Sequence, residues 1–164
     1  MSIESEDRSL KWIMIISFIG LIDAIYLSYL HHLVSAGEGC PTQDLPGLDC
    51  GVVLASDQAK LFGIPVAWLG VVGFLMLIGL SLDRYLNMDL ERTYYNKILL
   101  PITGMIGVVF GSYLTYAEAF IINEWCPFCV VAFVLTIAAT FFCISEYGYE
   151  IKELINKNGI EKET

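Results

Sequence analysis

Residues 126–145 read CPFCVVAFVLTIAATFFCIS, twenty positions without one charged side chain. An α-helix needs about 20 mostly apolar residues to cross a bilayer, because 1.5 Å of rise per residue then matches roughly 30 Å of hydrocarbon. Three more such runs lie upstream, at 12–30, 61–82 and 98–122. Of the 164 residues 56% are hydrophobic and 16% charged, a balance that a soluble domain of this length rarely carries. The expected fold is an all-α membrane protein, a four-transmembrane-helix bundle that forms one domain over 1–164.

The net charge is −9, but the acids sit mainly in the first few residues, the 34–60 loop and the 146–164 tail, so they describe loops rather than a face. No basic stripe interleaved with aromatics occurs, which argues against nucleic-acid binding. Cations set the orientation. Arg8 and Lys11 precede the first run, Arg84, Arg92 and Lys97 lie between the second and third, and Lys152, Lys157 and Lys162 follow the fourth. All eight share one side of the membrane, and only Lys60 lies on the other. The positive-inside rule therefore puts both termini in the cytoplasm and the 34–60 loop outside, in a plasma (inner) membrane. The first run follows an acidic start and exceeds the roughly 7 to 15 residues of a signal core, so it reads as an uncleaved span.

The orientation brings the cysteines together. Cys40 and Cys50 lie in the outer loop, and Cys126 and Cys129 open the fourth span at the same surface. That compartment is oxidising in bacteria and archaea. Two backbone features flank them. Pro65 is expected in the first turn of the second span, where its missing N–H costs least. Gly107 and Gly111 form a G-x-x-x-G that permits close helix approach in lipid.

Cys126-Pro127-Phe128-Cys129 is a C-x-x-C at a helix start, where the positive helix end favours a thiolate at Cys126 while burial and Glu124 oppose it. Three chemistries are open to four thiols at one surface. They are a zinc site, for which the nine residues between Cys40 and Cys50 are a wide gap, a pair of inert structural disulfides, and thiol–disulfide exchange. Val130 follows Cys129 where covalent haem attachment needs His. A loop pair can meet a water-soluble protein and a membrane pair a lipid-soluble acceptor, so the arrangement supplies a relay. With no G-x-G-x-x-G for a dinucleotide and no flavin motif, quinone is the simplest acceptor.

Several separated motifs fall in a telling order: Gly20-Leu21 with Tyr26-Leu27 and His31, then Cys50 followed by Ser56. Phe62-Gly63-Ile64-Pro65-Val66-Ala67 comes next, then Tyr113-Leu114-Thr115-Tyr116 with Glu118, then the C-x-x-C. Together, over roughly 20–135, they resemble the vitamin K epoxide reductase family. The resemblance implies a four-helix bundle around a quinone, ubiquinone or menaquinone, with no metal, and a short amphipathic helix over 52–60 along the outer membrane surface. It also implies that Cys40 exchanges with a thioredoxin-like partner, that Cys50 pairs with Cys40 and relays to Cys126, and that Cys129 faces the quinone. Ser56 matches the serine whose hydroxyl donates to a quinone carbonyl, and Phe62, Glu118 and Phe133 complete the expected pocket.

Two positions depart from the pattern: the Cys40 to Cys50 spacing is longer, and Phe133 stands where the animal enzyme has a tyrosine. The second departure speaks against vitamin K epoxide as substrate. The chain ends about 20 residues after the fourth span, too few for a thioredoxin-like domain, so a separate partner protein is expected. Asp23, alone and charged within the first span, is divided between a structural role and a proton path, whereas Glu118 is better placed to protonate a reduced quinone. His31 and His32 read as interfacial residues, Cys143 as a small buried one, and Trp12, Trp68 and Trp125 as core or interface anchors. Two other readings stand beside the relay. One is a disulfide generator of a type whose C-x-x-C lies near the end of the first span, and the other is a non-enzymatic scaffold.

Overall fold

A computed structural model describes residues 2–41, 47–61, 63–86 and 93–160, with side chains over 8–41, 47–61, 63–86 and 99–145. Four long helices make up most of it: α1 Ser2–Ser35, α3 Val66–Leu86, α4 Thr93–Ala117 and α5 Pro127–Ile160, with a short helix α2, Cys50–Ala55, in the first connection. Within them the segments Arg8–Ser35, Val66–Leu86, Leu99–Ile122 and Pro127–Ser145 are long and apolar enough to cross a bilayer. Each long helix lies against two neighbours, in the cyclic order α1, α3, α4, α5.

The side-chain distribution is that of a protein solvated by lipid. Phe18, Ile22, Ile106, Val109, Phe120 and Phe141 are all exposed, while Ser17, Ser81, Arg84, Thr140, Glu118 and His31 are buried. In water that exposure would be penalised; in hydrocarbon it is neutral, and the polar groups are what must be covered. Many hydroxyls find partners within their own helices, although that of buried Ser17 has none. Ser28, Ser35, Ser112, Thr115, Thr136 and Ser145 each donate to the carbonyl four residues back, at 2.8–2.9 Å, because no water is present to take the proton.

Small residues set the closeness of two seams. A Cβ on Gly104 would come within 2.6 Å of Thr140 Oγ1, one on Gly107 within 2.9 Å of Thr136 Cγ2, and one on Gly111 would overlap the Phe133 ring. The glycines of α4 therefore let it lie directly on α5, as the G-x-x-x-G spacing implies. Gly20 of α1 is covered in the same way by the Phe74 ring of α3.

The first span, Arg8–Ser35, is longer than 12–30 and the second runs on to Leu86 rather than 82, and two boundaries in the outer connection differ from the sequence reading for local backbone reasons. The second membrane helix starts at Val66, not at position 61, and Pro65 precedes it rather than lying in its first turn. Lys60–Leu61 and Ile64–Pro65 instead pair as two short antiparallel strands, β1 and β2, in the register Lys60↔Pro65 and Leu61↔Ile64. Ile64 precedes proline, which disfavours helical backbone, and Gly63 turns the chain at φ 82°. The short helix is also earlier and shorter than 52–60. Asp49 starts it by accepting the N–H groups of Gly51 (2.8 Å) and Val52 (3.2 Å). The extended backbone of Ser56 ends it, and one 3₁₀ turn follows at Asp57–Ala59. Its residues, CGVVLA, include no polar side chain, so it is not the amphipathic helix expected: Cys50, Val53 and Leu54 are buried, and the exposed Val52 is apolar too.

Candidate redox site

The connection after α1 folds back over one end of the bundle. Cys40 and Cys50 are joined by a disulfide with Cα atoms 6.1 Å apart. Cys50 and Cys126 are fully buried and share a cluster with Cys40, Leu27, Leu30, Val53 and Leu54. Two hydrogen bonds dock the loop on the segment that leads into α5. Trp125 N–H donates to the Gly47 carbonyl (3.3 Å), and Asp49 N–H donates to Glu124 Oε2 (3.4 Å). These tie the residue before Cys50 and the residue before Cys126 into one unit, so both cysteine pairs meet at the same end of the molecule.

Cys126 stands immediately before α5, and Pro127 opens the helix, where it displaces no hydrogen bond. Cys126 Sγ accepts the N–H of Cys129 at 3.4 Å, the part that serine or aspartate oxygen plays at other helix starts. Its carbonyl accepts from Val130 N–H at 3.1 Å. Both Cys126 and Cys129 are free thiols. Cys40 and Cys50 are thus bonded to one another, whereas Cys126 and Cys129 are not.

Glu118 reaches this pair from α4. The helix does not stop at Ala117 but widens into a π turn, Glu118–Ile122, which ends where Asn123 adopts left-handed backbone at φ 57°. Such insertions recur at functional sites. The Glu118 side chain is 3% exposed; its Oε2 accepts the Cys126 N–H at 3.2 Å, and the carboxyl lies within hydrogen-bonding reach of the Cys129 thiol. One acidic side chain thus touches both members of the C-x-x-C.

Below these groups lies a cavity of about 570 Å³ with an almost wholly apolar wall, within the roughly 300–1,000 Å³ range of small-molecule sites. All four long helices and the segment after Cys50 contribute to it. Cys129, Glu118, Phe133 and Ser56 line it, whereas Cys126 does not. The two thiols of the motif therefore face different surroundings, one the loop disulfide's cluster and the other the cavity.

Most expected site residues converge here. Phe62 lies outside the described residues. Ser56 is on the wall, but its hydroxyl donates to the Val53 carbonyl at 2.6 Å, as a residue ending α2 readily does, so its proton is not directed at an occupant. His31, read from sequence as interfacial, is 8% exposed and lines the cavity, while His32 is exposed. The signal was available: Ala24, Leu27 and His31 recur at helical spacing and all three line the wall. Asp23 does not line the cavity, and Cys143 is buried in the other core cluster with Leu10, Leu100 and Ala139. Trp12, Trp68 and Trp125 are each exposed by two fifths or more, as surface anchors are.

Fold and site together define a multi-pass membrane protein built around two neighbouring cysteine pairs and an apolar cavity. The family model described as the vitamin K epoxide reductase family matches residues 11–144, and the chain belongs to that family. It is also similar to a protein of Arabidopsis thaliana named thiol-disulfide oxidoreductase LTO1, with 26% identity over 139 residues, 82% of this chain. The chain spans 36% of that relative's length. Family and relative support redox chemistry on thiols.

Proposed function

We propose that the protein is a thiol:quinone oxidoreductase that takes electrons from a thioredoxin-fold protein on the extracytoplasmic side and passes them to a membrane quinone, ubiquinone or menaquinone, in support of disulfide formation. The observation that carries this reading is the division of labour within the C-x-x-C. Cys126 is buried in the cluster of the loop disulfide, and Cys129 opens on the cavity. The positive-inside count of lysine and arginine supports placing this end of the bundle outside the cytoplasm.

In this account a partner thiolate attacks Cys40 and opens its bond to Cys50, and the partner's second thiol resolves the mixed disulfide. The partner leaves oxidised and the loop pair reduced. Cys50, as thiolate, then attacks Cys126 in a Cys126–Cys129 disulfide, Cys40 closes on Cys50, and the inner pair is left as two thiols. Glu118 holds the Cys126 backbone through its N–H and is positioned to take the proton of the Cys129 thiol. Cys126 Sγ, beside the Cys129 N–H, closes the inner disulfide as two electrons leave.

The residues present fit a quinone. The cavity has the volume for a ring and part of its tail, its wall is apolar, and a thiol and a carboxyl stand where the redox carbonyl must be served. A quinone bound there supplies the two-electron, two-proton acceptor. Purified protein in nanodiscs, given a reduced thioredoxin-fold substrate, is expected to reduce a short-tailed quinone as followed by ultraviolet absorbance. Substituting either Cys126 or Cys129 by alanine should abolish that signal. Wild-type protein that leaves the quinone oxidised while its substrate stays reduced refutes the proposal.

A further inference from the structure

A quinone ring carries two carbonyl oxygens that accept hydrogen bonds, and the hydroquinone it becomes carries two hydroxyls that donate them. A cavity wall therefore discriminates between the two forms by whether its polar groups have protons or lone pairs left to offer. In this cavity the protons are committed. The hydroxyls of Thr103, Thr115 and Thr136 donate to Leu99, Gly111 and Ala132 carbonyls at 2.8–2.9 Å, and Ser56 donates to Val53 at 2.6 Å. The Cys129 S–H has the Glu118 carboxyl beside it as acceptor. The His31 ring donates to the backbone carbonyl of Leu54, which ties α1 to α2. Among the described residues of the wall, Gln58 is the one polar side chain outside this set, and it also borders a second, smaller pocket with Asp57, Lys60 and Tyr113.

Each committed donor leaves an acceptor behind. A hydroxyl that has given its proton still holds lone pairs, and a carboxyl has more lone pairs than the Cys126 N–H and the Cys129 S–H occupy. A neutral imidazole has a single N–H, so with that proton on Leu54 the other ring nitrogen of His31 is an acceptor. His31 is more than nine tenths buried and lines the cavity. In the cyclic order of the helices α1 and α4 lie across the bundle from one another, so His31 and Glu118 offer lone pairs from opposite walls, as the two opposed hydroxyls of a hydroquinone require. Resting on the quinone reading above, we propose that this cavity binds the hydroquinone more tightly than the quinone, with the free ring nitrogen of His31 accepting one hydroxyl and Glu118 the other. A site that favours the reduced form raises the potential of the bound couple, by about 30 mV for each tenfold of preference in a two-electron reaction, and so makes the bound quinone a stronger oxidant of Cys126 and Cys129. The same preference delays release of the product. Hydroquinone is then a competitive inhibitor, and turnover follows the redox state of the quinone pool as well as the supply of thiols.

The test uses the full chain in lipid nanodiscs under argon, with Cys126→Ala as the reference protein, so that no inner disulfide forms and each ligand keeps its oxidation state. The affinities of a short-tailed ubiquinone and, separately, of its hydroquinone are measured by equilibrium dialysis, with empty nanodiscs correcting for partition into lipid. The hydroquinone is expected to bind about tenfold more tightly. Adding His31→Leu, which has no acceptor, should remove most of that preference by weakening the hydroquinone, with quinone affinity kept within about threefold. His31→Gln, which keeps an N–H for Leu54 and an oxygen for the ligand, should retain it. A reference protein that binds the quinone as tightly as the hydroquinone, or more so, overturns the proposal, even where the leucine variant does not fold. A folded His31→Leu protein with the full preference, or a His31→Gln protein that loses it as completely as His31→Leu, overturns the role of His31. Binding of neither form overturns the quinone reading, and this inference falls with it.

Discussion

Replacing Glu118 separates its structural contribution from its chemical one. The side chain satisfies the buried N–H of Cys126 at 3.2 Å and reaches the Cys129 thiol. In Glu118→Ala the Cys126 N–H, at a fully buried residue, loses its acceptor. A buried donor left unpaired costs about 1–3 kcal/mol. Glu118→Gln keeps an amide oxygen to accept that N–H and should lose less than about 1 kcal/mol. Neither variant offers a base to the Cys129 thiol, and general-base removal lowers a proton-transfer step by about 10²–10⁴-fold. The assay has two parts: thermal unfolding in nanodiscs, and single-turnover oxidation of the prereduced protein by excess short-tailed quinone. The expected pattern is a stability loss in alanine but not glutamine, with slow single-turnover oxidation in both. A Glu118→Gln protein that turns over within about threefold of the parent refutes the proton role. A Glu118→Ala protein of parental stability refutes the brace.

Other outcomes follow from the same coordinates. Asp49→Ala removes the acceptor that starts α2 and should cost about 1 kcal/mol; electron passage from Cys50 to Cys126, read by rapid-quench alkylation, should slow while exchange at Cys40 does not. Gly111→Leu drives a side chain into the Phe133 ring, and overpacking of this kind should destabilise by about 1–3 kcal/mol in a thermal melt. Gly79→Ala meets nothing within 4 Å and should leave stability unchanged or raise it by up to about 1 kcal/mol through helix propensity. Cys129→Ser should still let the loop pair oxidise one equivalent of a thioredoxin-fold substrate, by mass spectrometry, yet show no quinone reduction.

The membrane helices were legible because a charge-free run such as 126–145 has one stable solution in lipid, and the meeting of the cysteines followed from the alternation of loops between four spans. The spacing of the C-x-x-C and the identity of Pro127 carried the start of α5 correctly. Boundaries governed by single backbone preferences were less visible. Hydropathy runs on through Leu61 and Ile64, and only the joint effect of Gly63 and Pro65 delays the helix to Val66. Asp49 was a readable helix start that the apolar pattern after Cys50 obscured. The Ser56 hydroxyl illustrates a deeper limit. Its residue type says that it can donate, and only the end of α2 decides that Val53 receives the proton. The π turn at Glu118 has no local signature, since it depends on how α4 and α5 meet, and it is what sets the carboxyl beside both thiols.

The account depends on Cys50 and Cys126 being close enough to exchange. With Cys40 and Cys129 both changed to serine, only these two sulfurs of the relay remain, and mild oxidation in the membrane should join them, giving a linked peptide by mass spectrometry after proteolysis without reductant. A double variant that keeps both thiols free, under conditions that fully form the Cys40–Cys50 bond in the parent, contradicts it.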